Sequence, residues 1–195
     1  PGGALKFRNN INTKLNIVTI QVMRGGLLEI GTPSAPVAGN VTSEIIFKNK
    51  PINNLVDPAQ YGNGLINFGE VYLHGKLIQN TFSRSTKELN AGDTIIELEN
   101  NVSDWRPGDK LIFPDTHQVR STNNNPYLMK WEENEVQSVN LNRVTLVRPL
   151  ANNHPAGRDI DGNIDFYPYV ANLTRNVKLR SENPNGVRAH SANFG

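Results

Sequence analysis

The 195-residue chain has no cysteine, which removes disulfides, thiolate metal sites and cysteine nucleophiles together. It has no uninterrupted apolar stretch of the ~18 residues that a membrane-spanning helix needs. Aromatic residues make up only 7%, and segments with a helical period are scarce. No phosphate-cradling glycine loop, dinucleotide-binding glycine fingerprint or nucleic-acid-binding motif occurs, so neither a nucleotide cofactor nor a nucleic-acid partner is expected. The spacing of His74, His117, His154 and His190 matches no metal signature, and no metal or other cofactor is expected.

What is present is turn chemistry. Gly 16, Pro 12 and a large complement of asparagines predict many short strands joined by turns, an all-β chain. An apolar fraction of 37% at this length supports one sizeable core, so residues 1–195 are read as a single domain, and the start at Pro1 inside a glycine turn as a piece of a longer chain. Net charge is +2, with seven basic and four acidic residues after position 140. That local excess suits either an ordinary mixed surface or an acidic polymer.

The repeat pattern is more specific. Gly2-Gly3-Ala4-Leu5-Lys6-Phe7 and Gly25-Gly26-Leu27-Leu28-Glu29-Ile30 are near copies 23 residues apart, and Gly69-Glu70-Val71-Tyr72-Leu73 returns 43 residues after Gly26. Between the first two, Leu15 and Ile17, then Ile20 and Val22, alternate around a phase slip at Val18-Thr19 that predicts a corner or a bulge. Coils of roughly 20–25 residues, each a set of short strands closed by glycine turns, predict a parallel β-helix whose coils bury their inner faces by stacking. Leu5, Ile17, Leu28, Ile30, Leu111 and Val177 should then point inward. Further strands are expected at 44–47, 65–68, 71–73, 94–98, 144–147 and 176–180, with projecting loops at 51–64, 117–130 and 151–165, the stretch 121–126 being the mobile part.

The stretch from Asn101 to Glu135 carries the candidate chemistry. Arg106-Pro107-Gly108 predicts a tight turn, Leu111-Ile112-Phe113 a strand that Pro114 ends, and Asp115 and His117 should emerge at its mouth. Trp131-Glu132-Glu133-Asn134-Glu135 opens a second strand. If the two strands neighbour each other, the acids share a face. Asp115 with Glu132, Glu133 or Glu135 then forms a carboxylate pair for glycosidic-bond chemistry, with His117, His154 or His190 as a general base. The competing reading has Asp115 capping its own turn and the glutamates facing solvent. Trp105 beside the turn reads as core, and Trp131 as an exposed ring able to stack on sugar. Arg175 and Arg180, flanking Val177 and Leu179, are expected on one outward face, there to grip an acidic sugar or to pair with Glu182 and adjacent coils. His74 is expected to pack on its coil. Asn40-Val41-Thr42, Asn101-Val102-Ser103 and Asn172-Leu173-Thr174 are glycosylation sequons.

In order, Gly-Gly-x-Leu-x-Ile-Gly-Thr at 25–32, Leu73-His74-Gly75, Trp105-Arg106-Pro107-Gly108-Asp109, Pro114-Asp115-Thr116, His154-Pro155-Ala156-Gly157 and Asn172 to Arg180 resemble the eight-glycine ("G-eight") domain family over nearly the whole chain. The segment 181–186 with His190 most resembles its microbial versions. The resemblance implies a right-handed parallel β-helix, an extracellular or cell-surface location, and glycan handling, as in relatives such as fibrocystin and the hyaluronan-depolymerising surface proteins. Val187-Arg188-Ala189-His190 departs from the family's entry into its later, histidine-bearing coils, so the implied role is glycan recognition or scaffolding. The implied partner is a polysaccharide, acidic ones included, and the unpaired strand edges expected at the ends would be met by further coils of the same chain or by a self-associating partner. A polysaccharide-degrading enzyme and a structural adhesin module are the alternatives.

Overall fold

The computed structural model describes residues 2–51, 53–117, 126–183 and 191–194, the last four as backbone only. His190, the segment 184–189 and most of the expected mobile stretch therefore lie outside the described residues. The chain is all-β, with no helix among those residues: β1 (Ala4–Phe7), β2 (Thr13–Ile17), β3 (Thr19–Val22), β4 (Leu27–Ile30), β5 (Ser43–Phe47), β6 (Gly64–Asn67), β7 (Glu70–Leu73), β8 (Phe82–Arg84), β9 (Ile95–Glu97), β10 (Lys110–Phe113), β11 (Glu132–Asn140), β12 (Arg143–Leu146), β13 (Gly157–Arg158), β14 (Ile164–Phe166), β15 (Tyr169–Asn172), β16 (Val177–Ser181) and β17 (Ser191–Phe194). Two compact units divide it, residues 1–77 with 175–195, and residues 78–174.

The first unit turns the sequence repeats into parallel ladders. Ala4 pairs with Leu27 and Leu27 with Glu70, offsets of 23 and 43 residues, giving the order β1-β4-β7. A second ladder joins β2, β5 and β16, and a third joins β3 and β6. The corner expected at Val18 is real: β2 and β3 flank it and pair in different sheets. Stacking explains the glycines. A Cβ on Gly69 would lie 2.5 Å from the carbonyl oxygen of Gly26, and Gly31, at φ +72°, would place one 2.3 Å from that of His74. The Gly-Thr and Leu-His-Gly motifs meet there, Val37 N–H donating to His74 O and His74 N–H to Ile30 O. Leu28, Ile30, Ile45 and Val177 are fully buried, each large aliphatic contributing roughly 1.5–3 kcal/mol.

Two expectations need correction in this unit. Leu5 is 42% exposed, because β1 is the edge of its ladder and the inner face of Leu5 borders an open cavity of about 420 Å³. The edge of β16 is not free, since β17 folds back onto it antiparallel. Asn176, from the last family-like motif, closes a bend no sequence rule pointed to: its amide donates to the carbonyls of Val37, Ala38 and Val41 and accepts from Lys76 N–H.

The second unit departs from a parallel coil. Its six-stranded sheet, in the order β8-β15-β10-β11-β12-β9, is antiparallel throughout. The Arg106–Asp109 turn forms as the sequence predicts, closed by Asp109 N–H to Arg106 O at 3.0 Å, with Gly108 at φ +89°. Trp105 is buried in the core with Leu111, Phe113, Val136 and Val144, and its Nε1–H donates to Asn80 O at 2.7 Å. The supposed loop at 151–165 contains a small ribbon of β13 and β14.

Candidate functional site

β10 ends at Phe113, and Pro114 releases the chain into Asp115. Asp115 is an acceptor hub. Its Oδ1 takes His117 N–H at 3.0 Å, His117 Nδ1 at 2.7 Å and the Tyr127 hydroxyl at 3.3 Å, and its Oδ2 takes Lys130 N–H at 2.7 Å. Burial by itself would raise the carboxyl, but these donors outweigh it and hold Asp115 ionised well below the usual carboxylate range. The turn-capping expectation for Asp115 thus extends to a clasp that also fixes the residue before Trp131.

Glu132 and Glu133 face opposite ways, because side chains alternate along β11. Glu132 points inward with Asn134 and Val136. Its carboxylate accepts from the Ala151 and Asn152 N–H groups and from His154 Nε2 at 3.1 Å. Burial opposes ionisation, yet those donors hold the group below its ordinary value. His154 was expected in a loop and is instead fully buried, bridging antiparallel to Leu89. Its Nδ1 lies 2.8 Å from Pro114 O. The ring thus sits between the Pro114 carbonyl and the Glu132 carboxylate, tying the end of β10 to the start of β11. Sequence reasoning weighed His154 as a base and missed this partnership, since 22 residues separate His154 from Glu132.

The acids therefore do not share a face. Glu135 lies outward, ion-paired with Lys110 across the β10–β11 register, while Asp115 and His117 form their own pair. No hydrogen bond among the described residues links Glu135 to either. No cluster of three or more His, Asp or Glu that could hold a metal occurs among them.

Trp131 is 51% exposed, standing between Lys130, whose N–H Asp115 holds, and Glu132. Arg180 Nε donates to Glu44 at 2.6 Å, and Lys14 lies 3.6 Å from the same carboxylate. Glu182 is not the partner and instead accepts from Asn49 N–H. The outward pair on β16 is Lys178 with Arg180, not Arg175 with Arg180, because positions an odd number apart face opposite ways in a strand and Arg175 precedes β16. Among the sequons, Asn40 and Asn101 are exposed. Asn172 is 2% exposed and its amide donates to Asp109 at 2.8 Å while accepting from Thr174 N–H, so in the folded chain it is a buried structural amide.

Comparison with known proteins places this geometry in a class of β-rich modules. Residues 1–86 match the family described as G8 domain, the family that the motifs resemble. A Dictyostelium discoideum protein is 24% identical over 92% of this chain and 17% of its own length, and mouse fibrocystin-L is 26% identical over 92% of this chain and 4% of its own. Dog fibrocystin is 31% identical over 57% of this chain and 3% of its own. The chain thus spans less than a fifth of each of these relatives. A Pseudomonas phage tailspike aligns over 86% of this chain and 24% of its own at 10% identity with a TM-score of 0.40, too low for a shared overall fold to follow. No helix among the described residues is long and apolar enough to cross a membrane.

Proposed function

We propose that the chain is an extracellular glycan-recognition or scaffolding module of a larger polysaccharide-handling surface protein, with the parallel ladders of residues 1–77 and 175–195 belonging to a right-handed β-helix. The observation that carries the reading is Trp131: a large flat ring in solvent, on a segment clamped by two ionised carboxylates. Exposing such a ring forfeits its burial energy, and clamping its neighbours removes the ordering cost that a flexible loop would add to binding. Binding is favoured over cleavage because three of the four candidate acids are already occupied, and the fourth, Glu133, faces the opposite way from Glu132 on β11. Asp115 stays ionised far below neutrality and cannot act as a proton donor, Glu132 is taken by two main-chain N–H groups and His154, and Glu135 by Lys110.

A polysaccharide-degrading reading has one observation in its favour, the Asp115–His117 contact, which orients the imidazole in the way a general base is oriented. Retention on immobilised polysaccharides separates the two. Trp131→Ala should weaken retention about tenfold, the effect of losing ~1.4 kcal/mol, and more than Asp115→Asn does. Unchanged retention on replacing Trp131 removes the recognition reading.

A further inference from the structure

An antiparallel sheet with one face on the core ordinarily turns polar side chains to solvent on the other. The outer face of β8, β15, β10 and β11 does not. Phe82 is 58% and Tyr169 41% exposed, their rings edge-to-face at 5.8 Å between centroids. The registers Tyr169↔Arg84, Ile112↔Ala171 and Phe113↔Glu132, continued by one or two residues, set Arg84, Tyr169, Pro114 and Trp131 in one row across four strands. Phe82, Ala171, Ile112 and Glu133 form the next row. Trp131, Pro114, Tyr169 and Phe82 are all exposed and lie on the outward phase of their strands.

We infer that these rows form a single binding platform for a glycan chain that runs across the strands, with Trp131 at one end and Tyr169 with Phe82 at the other. The inference rests on the recognition reading and extends it to ligand length, direction and charge. Strands are about 4.8 Å apart, so Trp131 stands about 10 Å from Tyr169 and about 14 Å from Phe82 across the sheet, a span that one sugar ring does not bridge and a short oligosaccharide does. A sugar chain fits the rows better than a protein partner does, because charged groups interrupt the rings where the core of a protein interface is depleted of charge. Those charges also select the glycan. The one cation of the two rows is committed, Arg84 Nε lying 3.3 Å from Glu99 and the guanidinium 5.6 Å from the Tyr169 ring centroid, and Lys110 in the row beyond is paired to Glu135. Glu133 makes no ion pair among the described residues. The face offers hydroxyl-binding acceptors and no spare cation, which suits neutral or N-acetylated sugars and disfavours polyanions.

The test is titration of the full chain with length ladders of cello-, chito- and galacturono-oligosaccharides, wild type against Tyr169→Ala, Phe82→Ala and Trp131→Ala, each checked for an unchanged melting temperature. Affinity should climb with length until both ends are spanned and be weakest for the acidic ladder. Tyr169→Ala and Phe82→Ala should cost the longer oligosaccharides about five- to tenfold and leave the shortest unchanged. Trp131→Ala should weaken all lengths. If only Trp131→Ala has an effect, or the acidic ladder binds best, the platform is wrong and recognition at Trp131 stands. If wild type binds none of the ladders and no immobilised polysaccharide, both fail. A wild-type dimer dissociated by Tyr169→Ala assigns the face to a second copy and overturns the inference.

Discussion

The two units close their backbones by different means. In the parallel unit strands pair at offsets of 23 and 43 residues, and main-chain groups of one strand connection meet those of the next through glycines that keep side chains out of the way. In the antiparallel unit, carboxylates and amides finish the corners: Asp109 caps Arg106 N–H and takes Asn172, Asp115 gathers residues 117, 127 and 130, and Glu132 gathers 151, 152 and 154. The parallel unit has side-chain caps too, Asp57 taking the N–H groups of Tyr61 and Gly62 and Asn12 that of Thr42, but its glycine crossings rest on main-chain bonds, whereas the corners of the antiparallel unit rest on caps. Asn176 marks where the parallel unit resumes after residues 78–174.

The sharpest way to break the contrast is at Gly31. Gly31→Ala adds strain at a positive φ and a contact 2.3 Å from His74 O, and should cost about 2–4 kcal/mol. Hydrogen exchange read strand by strand should show β4 and β7 losing protection while β10–β12 keep theirs. Equal loss in both sets would mean that the glycine crossings do not serve the parallel unit specifically.

How much of this was legible follows from the same contrast. Offsets of 23 and 43 between glycine turns were visible in the letters and became registers, because the strands that follow these like glycine turns pair side by side in parallel. The β5–β16 pairing, Ser43 to Val177, was invisible, since all of residues 78–174 intervene. So was the antiparallel order of the second unit, which has no repeat to betray it and whose strands read alike in either direction. The turn at Arg106–Asp109 and the end of β10 at Pro114 were readable from local backbone chemistry. The split of Glu132 from Glu133 and Glu135 follows from the period of two in a strand, and Glu132–His154 follows only from packing. Tyr169 and Phe82 drew no notice because an aromatic in a short strand ordinarily reads as core.

A smaller effect sharpens the contrast through pH. The carboxyls held below their ordinary values are Glu44 in the parallel unit and Glu88, Asp115, Glu132 and Asp159 in the antiparallel one. A depressed native value means that the unfolded chain binds more protons in acid, so the stabilisation is complete above the unfolded carboxylate range and is lost as pH falls below about 4 toward the native values. The antiparallel unit should lose protection first on acidification. Glu132→Ala, which removes the acceptor of buried His154 and of the Ala151 and Asn152 N–H groups, should cost about 1–3 kcal/mol at neutral pH, and the pH dependence that remains should be shallower. An acid transition that begins in the parallel ladders would reverse the assignment.

The smallest expected effect bears on whether the module does chemistry. Lys110 and Glu135 pair on the solvent face of the β10–β11 register, with side chains 57% and 37% exposed, and exposed pairs contribute about 0–1 kcal/mol. Glu135→Gln keeps the size and a hydrogen-bond acceptor while removing the charge, so the melting temperature should move by a few degrees at most. Because Glu135 lies apart from the Asp115–His117 pair, it has no proton-transfer partner beyond Lys110, and its loss should leave glycan retention within about twofold. Catalysis needs its groups held together in one geometry, and here the two candidate carboxyls are engaged with different partners. The wild-type chain should therefore release little or no product from polysaccharides that it retains. Steady product release, abolished by Glu135→Gln or Asp115→Asn without a change in retention, would place the enzyme reading above the recognition reading and would turn the outward acids of β11 from the margin of a sugar platform into its reactive centre.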